Sequence, residues 1–330
     1  LSSVLSDFAA THGIAVYEPF SLRNVLSSDD PSLQGYGPTG TKDADLILVI
    51  DSDTPWIEAT GAPGAEARVV HIGPDPHFGR MPVRGFKTDL AIVSDPVAAI
   101  NALHKEAHAS SGAAARLAAN TKAARLRRET ARATAAKGAL SPMTAEWISH
   151  CVSEIMDTDA VAFSELGLLP GFLNLQGPNR LFSNVHAGGL GWAMPAALGA
   201  QLMRPGKLTI ACMGDGSYMF ANPVACHQNA EAHQLPILTI IKNNAMWNAV
   251  RRSVVNSYPD GSASKANAVP LTSLEPLPDF AAVAAASRAH AERIEDGLDL
   301  PAALVRAIDL IRKEKRQVLL DLRTVVSDMH

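Results

Sequence analysis

The sequence has little cysteine and no long apolar run, and both features limit the class of protein. Only three cysteines occur in 330 residues, an odd number without the spacing of a metal site. Neither a disulfide framework nor cysteine-ligated metal is therefore expected. No apolar stretch reaches the roughly 18 residues of a membrane span, and no signal peptide is recognisable. We expect a cytoplasmic protein that binds no membrane.

The sequence also lacks an excess of basic charge. Its net charge is −4, which argues against nucleic acid as the main partner. Hydrophobic residues make up 47% of the chain and charged residues 19%, as in ordinary α/β proteins with sizeable cores. A chain of this length favours two domains.

The first third of the chain alternates short apolar runs with helical patterns. Strands are predicted at Asp45 to Asp51, Arg68 to Ile72 and Asp89 to Val93, which indicates a doubly wound parallel sheet in residues 1–104. Residues 105–140 are rich in alanine and predict a helical linker. Its arginines, at 116, 125, 127, 128 and 132, could bind an anion, but we favour a solvated helix.

Residues 141–330 form the second predicted domain, built around two apolar runs. Leu208 to Met213 and Ile237 to Ile241 read as buried parallel strands joined by a helix. Asp215 and Asn244 follow these strands, so a βαβ unit brings them to one edge of the sheet. Further along, Asp279 to Ala291 predicts a helix. The fold class predicted for the chain is α/β, with two doubly wound parallel-sheet domains joined by the linker.

The polar turns after the two strands have the composition of a phosphate and metal site. Carboxylate, amide and carbonyl oxygens suit Mg²⁺ that takes its other ligands from phosphates and water. The backbone amides of Gly216 and Ser217 add donors for phosphate. A glycine turn and an asparagine pair also occur together by chance in α/β proteins.

The sequence Gly214-Asp215-Gly216-Ser217, with Asn243-Asn244 downstream, resembles the cofactor motif of thiamine diphosphate enzymes of the acetolactate synthase and benzoylformate decarboxylase group. The resemblance implies that Asp215, Asn244 and the Met246 carbonyl hold Mg²⁺. It also implies that Gly214, Gly216 and Ser217 bind the cofactor.

Two further segments resemble that family. Residues 186–199, HAGGLGWAMPAALG, are similar to its aminopyrimidine segment. There the Gly188 carbonyl would accept from the cofactor's amino group, and Leu190, next to Gly189, would force its bent shape. Residues 162–167, AFSELG, place Glu165 before the diphosphate. A glycine-rich turn that opens a buried helix would explain the first segment equally well.

Trp247 and His186 are the remaining candidates for the reaction centre. Trp247 follows the metal segment and could form a pocket wall or pack in the core. His186 could donate to a substrate carboxylate, although we favour a structural role for it.

The first domain resembles the central domain of the same enzymes, without its opening strand. In some relatives this domain binds FAD or an adenine nucleotide. Asp51 and Asp53 could contact a ribose, but we favour solvated acids. The chain begins at Leu1 rather than methionine, and no region resembles the family's pyrimidine-binding domain, so we expect an incomplete protein. Activity would then need that domain, from a homo-oligomer or from a separate chain.

The resemblance implies thiamine diphosphate- and Mg²⁺-dependent decarboxylation or carboligation of a 2-oxo acid. Three alternatives stay open from the sequence. They are a lyase or hydrolase on the same scaffold, a module that binds thiamine diphosphate without turnover, and a plain nucleotide-binding α/β protein.

Overall fold

A computed structural model describes residues 1–20, 22–79, 85–184, 189–266 and 268–326 of the chain. Its contacts divide the chain into two compact units. The first contains Leu1–Thr130 with Leu175–Asn179, and the second contains Ala131–Asn174 with Arg180–His330. The boundary at residue 130 falls inside a long helix.

The first unit consists of short parallel sheets and helices. The elements are α1 (Ser2–His12), β1 (Val16–Tyr17), β2 (Leu33–Gly35), β3 (Leu46–Ile50), α2 (Glu58–Gly61), β4 (Arg68–Gly73), β5 (Leu90–Val93), α3 (Pro96–Glu106) and α4 (Ala113–Ala136). Strands β3, β4 and β5 form a three-stranded parallel sheet, and β1 pairs with β2.

Burial of apolar side chains holds this unit together. Leu5 and Phe8 of α1 pack with Leu26, Leu33 and Ile100 in one cluster, and Leu5 and Phe8 can do so together because residues three apart share one face of a helix.

Three arginines of the predicted linker bind backbone carbonyls in this unit. Arg116 donates to the His12 carbonyl, Arg127 to that of Leu33 and Arg128 to that of Ser28.

The second unit is built on six parallel strands in the order β10-β11-β9-β8-β6-β7. Its strands are β6 (Val161–Glu165), β7 (Leu181–Ser183), β8 (Thr209–Gly214), β9 (Leu238–Asn243), β10 (His290–Ile294) and β11 (Val318–Arg323). Its helices are α5 (Ala145–Ile155), α6 (Ala193–Met203), α7 (Asp215–Phe220), α8 (Pro223–Ala232), α9 (Asn248–Ser257), α10 (Ser262–Lys265), α11 (Phe280–Ala285) and α12 (Leu300–Asp309). The predicted α/β class with parallel sheets is confirmed.

Both faces of the six-stranded sheet are covered, which explains the near-continuous apolar character of its strands. On one face Phe163, Ala211 and Met213 pack against Ala193 and Met194 of α6. Local signals set the helix starts. The Thr144 hydroxyl caps α5 by accepting from Trp147 N, and the Asp279 carboxylate caps α11 by accepting from Ala282 N.

The sequence-based helix from Asp279 to Ala291 is wrong in its second half. The helix ends at Ala285, and His290–Ile294 forms edge strand β10 paired with β11. Arg288 adopts a left-handed conformation with φ of 62°, which ends the helical path. The alanine-rich composition favours helix locally, but pairing with β11 decides the conformation.

Among the described residues, no helix combines the length and apolar character needed to cross a membrane.

Candidate functional site

The carboxyl ends of β6, β8 and β9 lie side by side at one edge of the six-stranded sheet. The chain leaves β6 towards β7 on one side and leaves β8 towards β9 on the other. The ends of β6 and β8 therefore flank the point where the strand order reverses, which is where open α/β sheets bind ligands.

Asp215 begins α7 directly after β8, and only 3% of it is exposed. Its Oδ1 accepts from Gly216 N at 2.8 Å and its Oδ2 from Asn244 N at 3.1 Å. Burial raises the pKa of this carboxyl, and backbone amides led by that of Gly216 oppose the rise. The βαβ unit thus brings Asp215 and Asn244 together at the end of the strands.

The segment after β9 supplies two further oxygens on one tight turn. Asn244 Oδ1 accepts from Met246 N at 3.1 Å, and the Met246 carbonyl accepts from Asn248 N at 2.7 Å. Ala245, between them, has a φ of 59°. Because carbonyl and carboxylate oxygens each have more than one lone pair, these oxygens keep capacity for a cation.

Asp215 forms no salt bridge with any residue in the described part of the chain, although the Lys242 ammonium group on β9 interacts with it electrostatically over a longer distance. A buried carboxylate without a partner is costly. A divalent cation bound by Asp215, Asn244 and Met246 would compensate it. The same described residues contain no cluster of three His, Cys, Asp or Glu side chains fit for a metal, so such a cation would depend on the amide and carbonyl oxygens.

Asn243 is held by two side chains that sequence reasoning missed. Its Nδ2 donates to Asp321 Oδ1 at 2.8 Å, and its Oδ1 accepts from Ala245 N at 3.1 Å and from Arg323 Nη1 at 3.2 Å. Asp321 and Arg323 are alternate residues of β11, opposite β9. The sequence signal that could have indicated their role is the presence of two charged residues in the otherwise apolar strand β11.

Trp247 covers the glycine turn. A Cβ atom on Gly216 would lie 2.4 Å from Trp247 Cζ3, so the indole packs directly on the Gly216 backbone. Its ring centroid lies 5.5 Å from that of Phe220, edge to face. Trp247 is half-buried and forms a wall beside Asp215.

Glu165, at the end of β6, is fully buried. Its two carboxylate oxygens accept from Gly191 N at 2.6 Å and from Ala193 N at 2.8 Å, so its carboxylate anchors the start of α6. Leu190, just before this anchor, is 39% exposed, and Gly189 has open space around it. His186 and Gly188 lie outside the described residues.

The first unit has a small cavity at the carboxyl edge of its three-stranded sheet. About 130 Å³ of space is lined by residues that include Asp51, Asp53, His71 and Phe78. Burial lowers the pKa of His71, whose Nε2 donates to the Lys87 carbonyl. The volume is below the roughly 300 Å³ at which small-molecule pockets begin.

Comparison with known proteins identifies the second unit. Residues 167–322 match the family model described as "Thiamine pyrophosphate enzyme, C-terminal TPP binding domain". Over these residues the chain is similar to thiamine pyrophosphate enzymes. The matched residues include the glycine turn and the asparagine pair, so the predicted resemblance is confirmed.

Individual thiamine pyrophosphate enzymes share limited sequence with the chain. The acetolactate synthase large subunit of Parasynechococcus marenigrum is 30% identical over 132 residues, 39% of this chain and 20% of that protein. Sulfoacetaldehyde acetyltransferase of Alcaligenes xylosoxydans xylosoxydans is 24% identical over 151 residues, 46% of this chain and 23% of that protein.

Solved thiamine pyrophosphate enzymes share the fold over nearly the whole chain. The thiamine diphosphate-dependent 4-hydroxybenzoylformate decarboxylase of Rhodococcus jostii RHA1 matches 99% of this chain with a TM-score of 0.77 at 18% identity. Benzoylformate decarboxylase of Polynucleobacter necessarius matches 98% with a TM-score of 0.75 at 19% identity. The chain spans 59% of each of those two chains.

Proposed function

We propose that the chain provides the central and diphosphate-binding domains of an enzyme dependent on thiamine diphosphate and Mg²⁺. The reaction would be decarboxylation or carboligation of a 2-oxo acid in the cytoplasm, as in acetolactate synthase-like enzymes. One observation carries the proposal. The buried Asp215 carboxylate lies beside the Asn244 and Met246 oxygens and forms no salt bridge with any described residue, within the segment that matches the TPP-binding family.

In this proposal residues 1–104 form the central domain, 105–140 a helical linker and 141–330 the diphosphate-binding domain. Asp215, Asn244 and the Met246 carbonyl would hold Mg²⁺. Other proposed cofactor-binding residues are Glu165, Gly188, Gly189, Leu190, Gly214, Gly216, Ser217 and Trp247. The Gly216 amide already donates to Asp215, so its contribution is to orient the carboxylate.

Thiamine diphosphate, when bound, would supply a nucleophilic carbon and an electron sink for decarboxylation. The residues of this chain would bind and orient it. Leu190 would support its bent shape, and Trp247 would exclude water on the Gly216 side. His186 is the candidate donor to the substrate carboxylate, although we still favour a structural role for it.

Activation of the cofactor would need a pyrimidine-binding domain, from a homo-oligomer or from a separate chain. Two observations support this proposal. The chain spans 59% of the two solved decarboxylase chains named above. Large apolar side chains near the site are exposed as well: Leu190 by 39%, Phe220 by 62% and Val224 by 61%. Apolar groups clustered in this way indicate a protein interface.

Thermal unfolding of the chain with Mg²⁺ and millimolar thiamine diphosphate tests the cofactor. A ligand that binds only the folded state stabilises it, by about 2.7 kcal/mol at a hundredfold excess over Kd. We expect stabilisation that needs both components and disappears in Asp215→Ala. The absence of stabilisation, or equal stabilisation of the variant, would contradict the proposal.

Two further measurements separate the alternatives. Stabilisation by FAD or NAD instead of thiamine diphosphate would indicate a nucleotide-binding protein. For activity, a pyrimidine-binding domain is added and products are analysed with a panel of 2-oxo acids. Cofactor binding without turnover of any of them would favour the non-catalytic module, and products of a different bond cleavage would favour a lyase or hydrolase.

A further inference from the structure

The turn that follows β6 is held by a lysine from another strand. Lys242 Nζ, on β9, donates to the carbonyl oxygens of Leu166 at 3.0 Å and Gly167 at 2.9 Å. Strand β8 lies between β9 and β6, and its last residue, Gly214, is the register partner of Lys242. The lysine side chain therefore spans the carboxyl end of β8, at the point where the strand order reverses.

The turn has a conformation that needs support from outside. Leu166 has a φ of 56°, in the left-handed region that is unfavourable for residues with a Cβ atom. Gly167 lies so close to β8 that a Cβ atom there would be 2.3 Å from the Cys212 carbonyl oxygen. An ammonium group can donate to two neighbouring carbonyls at once, whereas an apolar side chain at 242 would leave both without that donor.

The turn is continuous with Glu165, which sets the backbone of the next segment. The Glu165 carboxylate accepts from Gly191 N and Ala193 N, and Leu190 immediately precedes these residues. A displacement of the turn would move the carboxylate and loosen the start of α6.

We propose that Lys242 is a positioning residue of the cofactor-binding edge. Its ammonium group fixes the turn at residues 166–167 and, through Glu165, the backbone at residues 191–193 that presents Leu190. The inference rests on the proposed function for the identity of the cofactor, whereas the hydrogen bonds are a property of the chain itself. Sequence reasoning missed Lys242, although it is a charged residue in a largely buried strand.

Hydrogen exchange at the amides of Gly191 and Ala193 in the ligand-free full chain tests the positioning. In Lys242→Met we expect these amides to exchange about tenfold faster, relative to amides of β11 that report global unfolding. Lys242→Arg, which keeps a cationic donor, is expected to restore most of the protection. Lys207→Met removes an exposed lysine that pairs with Asp159. We expect it to leave unchanged the exchange rate of Gly191 and Ala193 relative to the β11 amides.

Two exchange results would overturn the proposal. One is unchanged protection at Gly191 and Ala193 in the Met variant. The other is a uniform increase over the whole second unit, which would make Lys242 a contributor to global stability only. If the Met variant does not fold, Lys242→Gln, which keeps two N–H donors without the charge, replaces it. Faster exchange than in the Arg variant supports the proposal, and equal exchange contradicts it.

Calorimetric titration with thiamine diphosphate and Mg²⁺ separates this inference from the function on which it rests. We expect the dissociation constant to rise about tenfold in Lys242→Met and less in Lys242→Arg. Unchanged affinity would contradict a role at the cofactor edge. If the unmodified chain binds no cofactor, the proposed function fails, and the exchange ratios still decide whether Lys242 positions the segment.

Discussion

The Asp215 carboxylate accepts a hydrogen bond from the backbone amide of Asn244 at 3.1 Å, although 29 positions separate the two residues in the chain. The contact exists because β8 and β9 are adjacent parallel strands and both end at this edge. It places a buried carboxylate among backbone amides, with no ion pair from the described residues. Binding of a cation at this position would offset the energetic cost of burying the Asp215 carboxylate.

Replacing Asp215 with asparagine should cost the ligand-free protein little. The variant removes a desolvated charge and keeps an oxygen that can accept from Gly216 N, but its amide nitrogen cannot accept from Asn244 N, so the gain and the loss oppose each other. We expect the free energy of unfolding in urea, without Mg²⁺, to change by less than about 1 kcal/mol or to increase. With Mg²⁺ and thiamine diphosphate, the unmodified chain should have a higher free energy of unfolding than Asp215→Asn, because only the unmodified chain is stabilised by these ligands.

Asp260→Asn is the matched control, since Asp260 is exposed and lies outside the site. It should behave like the unmodified chain with and without ligands. A loss of several kcal/mol in ligand-free Asp215→Asn would show that the carboxylate stabilises the fold by itself, which contradicts this account.

Substitution of Gly216 should displace Trp247. A Cβ atom at this position would lie 2.4 Å from Trp247 Cζ3 and 2.6 Å from Cε3, and a rigid indole cannot give way without repacking. In Gly216→Ala we expect a loss of about 1 to 3 kcal/mol of stability and a red-shifted tryptophan emission, because the ring becomes more exposed.

Gly189→Ala is the control for backbone effects, since nothing lies within 4 Å of a Cβ atom there. Its emission spectrum should be unchanged. Because the chain contains four tryptophans, the comparison is repeated in a Trp247→Phe background, where Gly216→Ala should cause no shift. A shift that persists in this background would show that another tryptophan is responsible.

The sequence predicted those parts of the site that lie within one βαβ unit and missed those that depend on which strands are neighbours in the complete sheet. Asp215 and Asn244 follow two strands of one βαβ unit, so their proximity could be expected from the apolar runs alone. Asp321 reaches Asn243, and Lys242 reaches Leu166, only because β11, β9, β8 and β6 are neighbours in the sheet. That order is set by tertiary packing and leaves no local pattern.

The fold could be predicted to a similar degree. The apolar runs gave β8, β9 and the three-stranded sheet to within about two residues at each end, which is the usual uncertainty of such boundaries. The strand His290–Ile294 was missed because its sequence, HAERI, has two adjacent charged residues and follows an alanine-rich helix. Pairing with the buried strand β11 determines its conformation.

The buried pair of His227 and Tyr218 should make stability depend on pH below neutrality. Tyr218 Oη lies 2.9 Å from His227 Nε2, and His227 Nδ1 lies 2.8 Å from Gln317 Oε1. Since Gln317 Nε2 donates to two carbonyls, its Oε1 must accept, so the neutral imidazole carries its proton on Nδ1. Burial lowers the pKa of His227.

The direction of the pH effect follows from proton uptake. The unfolded chain binds a proton at His227 near pH 6.5, whereas the folded chain binds it only at lower pH. Stability from this residue is therefore complete above about pH 6.5 and decreases as the pH falls towards the lowered pKa, by at most about 1.4 kcal/mol per pH unit. Urea unfolding at pH 7.5 and pH 5.5 measures the difference.

Two variants test whether His227 causes this decrease in the free energy of unfolding with falling pH, which is called the acid-side slope below. His227→Gln should cost about 1 to 3 kcal/mol at neutral pH, because Tyr218 and Gln317 lose their shared partner, and should reduce the acid-side slope. His233→Gln changes an exposed histidine of the same segment and should keep the original slope. An identical slope in His227→Gln would assign the acid sensitivity to other groups.

The hydrogen bond from Asn243 to Asp321 should couple β11 to the turn that carries Asn244. Asp321 is 3% exposed, and burial raises the pKa of its carboxyl, opposed by the hydrogen bond from Asn243. A double-mutant cycle with Asn243→Ala and Asp321→Ala should give a coupling energy of about 1 kcal/mol or more in urea unfolding, since each single variant leaves the other group buried and unpaired.

An ion pair between β10 and α12 serves as the reference for this cycle. Glu292 and Arg306 form an ion pair with a more exposed arginine, and their cycle should give less than about 1 kcal/mol. If the turn is oriented through Asn243, Asp321→Ala should also weaken binding of Mg²⁺ and thiamine diphosphate, although Asp321 lies on β11 and is not among the proposed ligands. Equal coupling in both cycles together with unchanged cofactor affinity would show that Asp321 stabilises the sheet without orienting the site.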